Sequence, residues 1–467
     1  MDLGLIDTIV VVLFENRSFD HMLGYLALPP YNRKIDGIST DQGWVTRTMN
    51  VHDGIRYPIW HMTAGSRAGE LLAGDPPHER DDTRVQLGAA YPFPPQGAPM
   101  NGFVDNYASV PKLEPAFYNQ AVGYYTAAEV PITHFLAENY AVCDNWYSCI
   151  PTSTWPNRLM AMAGFTMTDN TIGDAIPDQM LVYDWLLNNN ISWRVYHEGW
   201  PIFTLMHRMR LQILRDAVMQ KRFRWFNRFA QDFASKDPFP KVVFIEPKYT
   251  PDFFSLGMNS DDHAPSSVAG GQIFLRDIYS ALIQNPTRWQ KTVMIVTYDE
   301  NGGFFDHKSP LAIHTDPHTG ANWIRPFFTT GVRVPALIVS PLVEPKAVFS
   351  EPLDHTCILK FIGAKFGGGR GYSSEVDNRS TIDGHPLSDI AKTLTRKAPR
   401  PERLAPPVYP EKALTRDQVT VVRAQTTAAV DMNSHFARAF AAAAKDMREN
   451  HAKEARIKFP QSRDRFV

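Results

Sequence analysis

The sequence predicts an α/β protein in which a mostly parallel sheet lies between two layers of helices. Four apolar runs rich in β-branched residues are typical of strands buried on both faces. Helical stretches separate these runs, and such alternation favours right-handed crossovers within one sheet. The pattern therefore predicts a three-layer α/β/α sandwich. The predicted strands cover residues 8–14, 241–245, 292–298 and 334–339, and the predicted helices include residues 179–187 and 271–284.

The composition of the chain changes after Lys397. The 467 residues give a mass of 52.8 kDa, which is enough for one large α/β domain with insertions. Beyond Lys397 a proline-rich connector leads into an alanine-rich segment. We therefore predict a main domain over residues 1–397 and a helical C-terminal tail over residues 398–467.

The last part of this tail predicts an amphipathic helix that begins near Asn433 or Ser434. Its apolar residues recur at spacings of four, three and four, which places them on one helix face. We expect this stripe to pack on the main domain; covering the mouth of the site and self-association are two roles it could serve. In the alternative, the helix lies on a membrane, although its polar face has few of the basic residues typical of such helices. The stripe comprises Phe436, Phe440, Ala443 and Met447.

The overall charge and the cysteine count exclude several classes of protein. The 48 basic and 49 acidic residues give a net charge of −1, so no long-range field attracts nucleic acid. No apolar run approaches the roughly 18 residues that cross a bilayer, and the first residues lack the basic region of a signal peptide. Three cysteines exclude a disulfide scaffold, although one bridge between Cys143 and Cys149 is conceivable.

Polar side chains follow two of the predicted strands at the point where each strand ends. Glu15 and Asn16 follow the first strand, and Asp299 and Glu300 follow the third. Carboxylates that converge on one sheet edge repel each other unless a cation lies between them. Oxygen ligands favour a hard divalent ion such as calcium, magnesium or manganese. In the alternative, Glu15 and Asp299 simply cap the turns that follow.

The segment IPTSTWPNR, residues 150–158, leads into a helical stretch and places Thr154 at a helix N-terminus. Backbone N–H groups there stabilise an anion, and the guanidinium of Arg158 suits phosphate oxygens. A hydroxyl in this position could attack phosphorus. In the alternative, Thr154 is only the N-cap of the helix.

Two histidines stand next to acidic residues. His78 ends the motif DPPH, and His263 lies in the motif DDHAP. Acidic neighbours raise the affinity of an imidazole for its proton, so either ring could donate a proton to a leaving oxygen. Ordinary structural roles are the alternative for both.

These residues lie in a series of motifs that resembles the bacterial phosphoesterase family. That family contains non-specific phospholipases C and acid phosphatases, with a fold similar to alkaline phosphatase. The motifs occur in the family's order and cover roughly residues 6–363. They are ENRSFDH (15–21), DPPH (75–78), MNGFVDNY (100–107), PTSTWPNR (151–158), FIEPKY (244–249), DDHAP (261–265), TYDENGGFFDH (297–307), GVRVPALIVSP (331–341) and DHTCILKFI (354–362).

The resemblance implies a role for each candidate residue. The implied ligands of one divalent cation, which is calcium or alternatively magnesium, manganese or zinc, are Glu15, Asn16, Asp299 and Glu300. The implied nucleophile is Thr154, and the implied acid/base residues that contact the phosphate are His78 and His263. The implied substrate-binding residues are Asn157, Arg158 and Asp262.

By the same resemblance, the protein is a metal-dependent phospholipase C. Such an enzyme cleaves phosphatidylcholine-type lipids at a membrane surface to diacylglycerol and a phosphorylated head group, here through a phosphothreonine. A broad-specificity acid phosphatase is the alternative enzyme, and an inactive, metal-stabilised interaction module is the alternative of another class. The family implies a secreted or periplasmic protein; because no signal peptide is visible, a cytoplasmic location is the alternative.

Overall fold

An eight-stranded sheet forms the centre of the molecule. The computed structural model describes residues 2–62, 72–88, 97–215, 221–249, 259–314, 323, 325–409 and 435–459. Within these residues the strand order is β8-β2-β7-β6-β1-β5-β3-β4. The strands are β1 (Thr8–Phe14), β2 (Ala141–Cys143), β3 (Trp193–His197), β4 (Phe223–Trp225), β5 (Val242–Glu246), β6 (Thr292–Tyr298), β7 (Ala336–Val339) and β8 (Val348–Phe349).

The middle of the sheet is parallel and buried on both faces. β1 lies between β5 and β6 and pairs parallel with each of them. All seven residues of β1 and all seven of β6 are buried, because these strands carry apolar side chains on both faces. β7 pairs antiparallel with β6 and with β2. The mostly parallel sheet predicted from the sequence is therefore confirmed.

Four of the six predicted strands and helices have bounds that differ from the predicted ones by one to three residues. β7 begins at Ala336, two residues later than predicted, because Pro335 has no N–H to donate to the ladder. The helix predicted over residues 179–187 runs from Val182 to Asn188, with the Asp184 carboxylate accepting the N–H of Leu181 before its first turn.

Helices surround this sheet and include both helices predicted for the main domain. α10 packs against α5 and α9, whereas α12 packs against α6. The helices are α1 (Phe19–Met22), α2 (Gln42–Arg47), α3 (Arg80–Leu87), α4 (Phe103–Ala108), α5 (Pro131–Asn139), α6 (Thr154–Ala163), α7 (Val182–Asn188), α8 (His207–Arg215), α9 (Phe229–Ala234), α10 (Ala269–Gln284), α11 (Pro286–Trp289), α12 (Thr356–Phe366), α13 (Ser374–Asp377), α14 (His435–Asn450) and α15 (Ala452–Lys458).

The end of the tail packs on the main domain, as predicted. α14 begins one residue after Ser434, and the side chains of Phe440, Ala443 and Met447 are buried in the main core. The ring of Phe440 lies 6.4 Å from that of Trp200, between centroids. This face is therefore occupied by the body of the protein and is not presented to a membrane. The earlier alanine-rich part of the tail and the side chain of Phe436 lie outside the described residues.

The three cysteines are buried and form no disulfide. The conceivable bridge between Cys143 and Cys149 is therefore absent from the fold.

Among the described residues, none of the helices combines the length and the apolar character that crossing a bilayer requires.

Candidate active site

Two neighbouring strands deliver the four predicted metal ligands to one edge of the sheet. Phe14 at the end of β1 pairs with Tyr298 at the end of β6, so the chain leaves both strands side by side. The N–H of Asn16 donates to Oδ1 of Asp299 at 3.1 Å. Glu15, Asn16, Asp299 and Glu300 are completely buried.

The backbone at this edge is tightly packed. Asn16 adopts a left-handed conformation with φ of 64°, and Gly302 opposite it has φ of 60°. A Cβ atom on Gly302 would lie 2.2 Å from the carbonyl oxygen of Asn16, so only glycine fits there. The close approach brings the strand-end turns of β1 and β6 together.

The start of α6 lies at the same edge. Ser153 is the N-cap of this helix, and Thr154 is its first residue, with a side chain only 4% exposed. Arg158 follows one turn later and contacts Asp299 through Nε at 3.1 Å and Glu15 through Nη2 at 3.2 Å. Residues four apart lie on the same helix face, so Thr154 lies within one turn of the contact between Arg158 and these carboxylates.

Arg158 is enclosed by acceptors of the protein itself. Besides the two carboxylates, Nη1 donates to the hydroxyl of Tyr249 at 3.1 Å, and Nη2 donates to the carbonyls of Leu13 and Phe14. These contacts hold α6 against the ends of β1 and β6. A direct role in substrate binding remains a prediction.

The other two residues predicted to bind substrate also have partners within the protein. The amide of Asn157 donates to the carbonyls of Ile150, Thr152 and Ser153 and accepts the N–H of Ile150. Asp262 accepts the hydroxyl of Tyr298 at 2.6 Å. Asn157 therefore shapes the loop before Thr154, and substrate contacts of both residues remain predictions.

His78 and His263 meet beside the predicted ligands. Their ring centroids lie 5.6 Å apart. Each Nδ1 lies against a backbone carbonyl, that of Pro76 at 2.6 Å for His78 and that of Ala264 at 2.5 Å for His263. Nε2 of His78 lies 3.0 Å from Nδ2 of Asn16. The structure thus brings His78 to the edge where the ligands and Thr154 lie.

The two imidazoles differ in their electrostatic environment. Burial lowers the pKa of His78, but the carboxylates of Glu300, Asp75 and Glu79 outweigh burial and raise that pKa to about 10. Burial dominates at His263 and lowers its pKa. Without a cation, His78 is therefore the ring that carries a proton at neutral pH.

Several buried oxygens at this edge have no hydrogen-bond partner. They are Oε1 and Oε2 of Glu15, Oδ1 of Asn16 and Oε1 of Glu300, and among them Oε1 of Glu15 has only its ion pair with Arg158 at 3.2 Å. Both oxygens of Asp299 accept hydrogen bonds, from the N–H groups of Asn16 and Glu300 and from Arg158. An unsatisfied buried carboxylate is costly, and oxygens of this kind are the donors that hard divalent cations prefer. The types of donor present therefore suit a divalent cation, although their ligand atoms are gathered less closely than those of Asp75, His78 and His263.

The charge of the edge supports the same fit. If all three buried carboxylates are ionised, the guanidinium of Arg158 and the protonated ring of His78 together leave one negative charge uncompensated. Burial is the main cause that raises the pKa of Glu15 well above its usual range and that of Glu300 to about 8. A divalent cation would restore the ionised form of both groups. The identity of the metal remains a prediction.

Two acid and histidine clusters with close ligand atoms occur among the described residues. One joins Asp75, His78 and His263 and borders the predicted ligands. The other joins Asp20, Asp306 and His307. Its Asp20 and Asp306 carboxylates already pair with the buried guanidinium of Arg333, at 3.2 and 2.9 Å. The second cluster is therefore an ion-pair network.

The sequence did not indicate a role for Glu246, which is linked to Arg158 through the hydroxyl of Tyr249. Oε2 of Glu246 accepts the hydroxyl of Tyr249 at 3.1 Å, and that hydroxyl accepts Nη1 of Arg158. Glu246 ends β5 just as Glu15 follows β1. The rule that polar groups gather at strand ends could therefore have found it.

The family of the chain follows from comparison with known proteins. The model of the phosphoesterase family matches residues 6–367. The chain belongs to the phosphoesterase family. This phosphoesterase is 31% identical over 364 residues to non-specific phospholipase C3 of Arabidopsis thaliana, covering 74% of the chain and 65% of that protein. It is 28% identical over 447 residues to phospholipase C B of Mycobacterium tuberculosis strain CDC 1551, covering 84% and 78%.

The membership predicted from the motifs is confirmed. The phosphoesterase chain spans just under two thirds of the length of the plant relatives, 65% and 63% for the non-specific phospholipases C3 and C1. Among solved structures, it overlaps a protein of the alkaline phosphatase superfamily from Vibrio parahaemolyticus with a TM-score of 0.31 and 10% identity, over 51% of this chain and 60% of that one.

A cation at the predicted ligands is expected to stabilise the fold. Calcium at about 100 times its dissociation constant should raise the free energy of unfolding by about 2.7 kcal/mol. Glu300→Gln removes a ligand charge and should abolish most of this increment, whereas Glu351→Gln, at a half-exposed side chain, should keep it. Urea unfolding with calcium or with a chelator measures the increment. An equal increment in Glu300→Gln and the parent protein would contradict the predicted ligand set.

Proposed function

We propose that this phosphoesterase is a metal-dependent phospholipase C that cleaves phosphatidylcholine-type lipids. The observation that carries the proposal is the convergence of the start of α6, the buried oxygens of Glu15 and Glu300, and the ring of His78 at one sheet edge. The plant and mycobacterial relatives are phospholipases C, which supports a phospholipid substrate. A phosphodiester whose head group is phosphocholine is the expected substrate.

The proposed first step forms a bond between Oγ of Thr154 and phosphorus. The threonine hydroxyl loses its proton to solvent as this bond forms. The bond from phosphorus to the diacylglycerol oxygen breaks, and that oxygen takes a proton from His78, whose ring lies at this edge. Proton transfer of this kind contributes about 10²- to 10⁴-fold. A divalent cation held by Glu15, Asn16, Asp299 and Glu300 would supply positive charge to the phosphoryl oxygens and lower the pKa of the threonine hydroxyl.

The second step releases the head group. Water attacks phosphorus and breaks its bond to Oγ of Thr154, while the neutral ring of His78 takes up a proton from the water. Phosphocholine leaves, and the oxygen of Thr154 takes a proton from solvent, which restores the hydroxyl. Arg158 keeps the start of α6 against the strand ends throughout, through its contacts with Glu15 and Asp299.

The water-soluble product tests this proposal. Vesicles of phosphatidylcholine incubated with the enzyme and calcium should yield phosphocholine and diacylglycerol, which phosphorus NMR and lipid extraction identify. A parallel reaction with p-nitrophenyl phosphate detects inorganic phosphate. Release of inorganic phosphate from the monoester with an intact lipid would replace the proposal by the acid phosphatase. Calcium binding without hydrolysis of either substrate would favour the interaction module.

A further inference from the structure

We propose that Glu79 and Ser153 are positioning residues that set the place of Thr154 relative to His78. This inference rests on the proposed function. Glu79 directly follows His78, and Ser153 directly precedes Thr154. Oγ of Ser153 donates to Oε2 of Glu79 at 2.7 Å. One hydrogen bond therefore joins the two loops at the residues next to both predicted catalytic side chains.

The hydroxyl of Ser153 is used in an unusual way for its position. A serine at an N-cap ordinarily accepts the N–H of the second or third helical residue, but Ser153 makes no such bond to α6. The N–H of Trp155, in the first turn, instead donates to Oγ1 of Thr171 at 3.2 Å. Thr171 therefore caps the helix, and the Ser153 hydroxyl is left to bond to Glu79.

The carboxylate of Glu79 also holds the capping residue. Its Oε2 accepts the N–H of Thr171 at 3.2 Å. Two other oxygens compete for the single proton of Ser153, Oγ1 of Thr171 at 2.8 Å and the side-chain oxygen of Asn170 at 3.2 Å. Oε2 of Glu79 at 2.7 Å is the nearest of the three acceptors, and the bond to it is strongest when this carboxylate is ionised.

Glu79 is itself anchored in the fold. It is the N-cap of α3, where its N–H donates to Oδ2 of Asp82 at 3.1 Å. Oδ1 of Asp82 accepts the amide of Asn106 on α4 at 3.0 Å. The chain of bonds thus runs from α4 through α3 to the start of α6. Such anchoring matters because a misplacement of about 1 Å can lower a rate by about 10²-fold.

The first experiment measures steady-state turnover of phosphatidylcholine. Ser153→Ala is expected to lower kcat by about 10²-fold while KM changes by less than about twofold, because the loss concerns alignment in the transition state. Ser153→Thr keeps a hydroxyl and should restore most of kcat. Glu79→Gln should resemble Ser153→Ala. In the double variant the combined loss should be smaller than the product of the two single losses, because both substitutions remove the bond between Ser153 and Glu79, although Glu79→Gln also weakens the bond from the N–H of Thr171.

A matched control separates alignment from general loss of a buried hydrogen bond. Oγ of Ser388 donates to Oε2 of Glu351 at 2.6 Å, in a segment that bonds to Pro352. Ser388→Ala should leave kcat unchanged. Unchanged kcat in Ser153→Ala, or losses that add in the double variant, would overturn the proposal.

A binding measurement keeps this test independent of the lipid substrate. Orthovanadate imitates the transition state of phosphoryl transfer, whereas inorganic phosphate imitates a ground state. Calorimetry with calcium present should show that Ser153→Ala weakens orthovanadate binding by a larger factor than phosphate binding. If the dissociation constants of orthovanadate and phosphate rose by the same factor, the positioning role would be overturned. A parent protein that binds orthovanadate but cleaves no phospholipid would overturn only the proposed substrate.

Discussion

Replacing Thr154 with alanine is expected to lower phospholipid turnover by at least about 10⁴-fold, because the variant lacks the atom that bonds to phosphorus. Thr154 is the first residue of α6, but Ser153 is its N-cap and Thr171 caps the N–H of Trp155. The helix start should therefore survive, and the free energy of unfolding should change by only about 1 kcal/mol. Initial rates and urea unfolding measure the two effects separately.

Serine provides the matched control at this position. Thr154→Ser keeps a hydroxyl group and should retain activity within about tenfold of the parent enzyme, since alignment is only slightly relaxed. Mass spectrometry of the acid-quenched reaction should detect a phosphocholine ester of residue 154 in the parent enzyme and in Thr154→Ser. Full turnover by Thr154→Ala would show that the hydroxyl is not the nucleophile and would leave only a structural role for it.

Replacing Arg158 with methionine is expected to destabilise the fold by about 3–5 kcal/mol. The guanidinium is only 3% exposed and pairs with Glu15 and Asp299, both completely buried. Its removal leaves these carboxylates without their cationic partner and takes one donor away from the carbonyls of Leu13 and Phe14. The free energy of unfolding in urea, measured with a chelator present, gives the size of the effect.

Two further variants show whether the loss comes from buried charge. Arg158→Lys keeps the charge but cannot form the planar, forked set of bonds. Its free energy of unfolding should therefore lie between those of Arg158→Met and the parent protein. Arg194→Met removes a guanidinium that is 19% exposed and pairs with Asp232, and should cost about 1 kcal/mol or less. If Arg158→Met unfolded at the same midpoint concentration of urea as the parent protein, the proposed electrostatic role would be contradicted.

The central strands could be predicted because the apolar residues that bury them are consecutive in the sequence. β1 and β6 have the predicted bounds, since each is a run of seven mostly apolar residues, rich in β-branched side chains, which is typical of a strand covered on both faces. The convergence of Glu15 and Asp299 then followed from parallel strand order. The late start of β7 was not predicted because the run of apolar residues continues through Pro335.

The contacts of Arg158 could not be read from the sequence. Its position near the start of a helix suggested phosphate binding, whereas the structure surrounds it with protein acceptors from three separate segments. The sequence likewise shows of Glu79 only that it follows His78, the last residue of the DPPH motif. The loop that contains Thr171 supplies its partners, and nothing in local spacing indicates that this loop reaches α3.

The amino-acid sequence by itself determined the parallel strands, the helix that begins at Thr154 and the oxygen-rich strand ends, because these features depend on neighbouring residues and on chain direction. Only the tertiary structure decided that Arg158 faces Glu15 and Asp299, that Ser153 bonds to Glu79, and that the tail covers Trp200. The physical reason is that each side chain is placed by packing between segments far apart in the chain, and such packing leaves no periodic pattern in either segment.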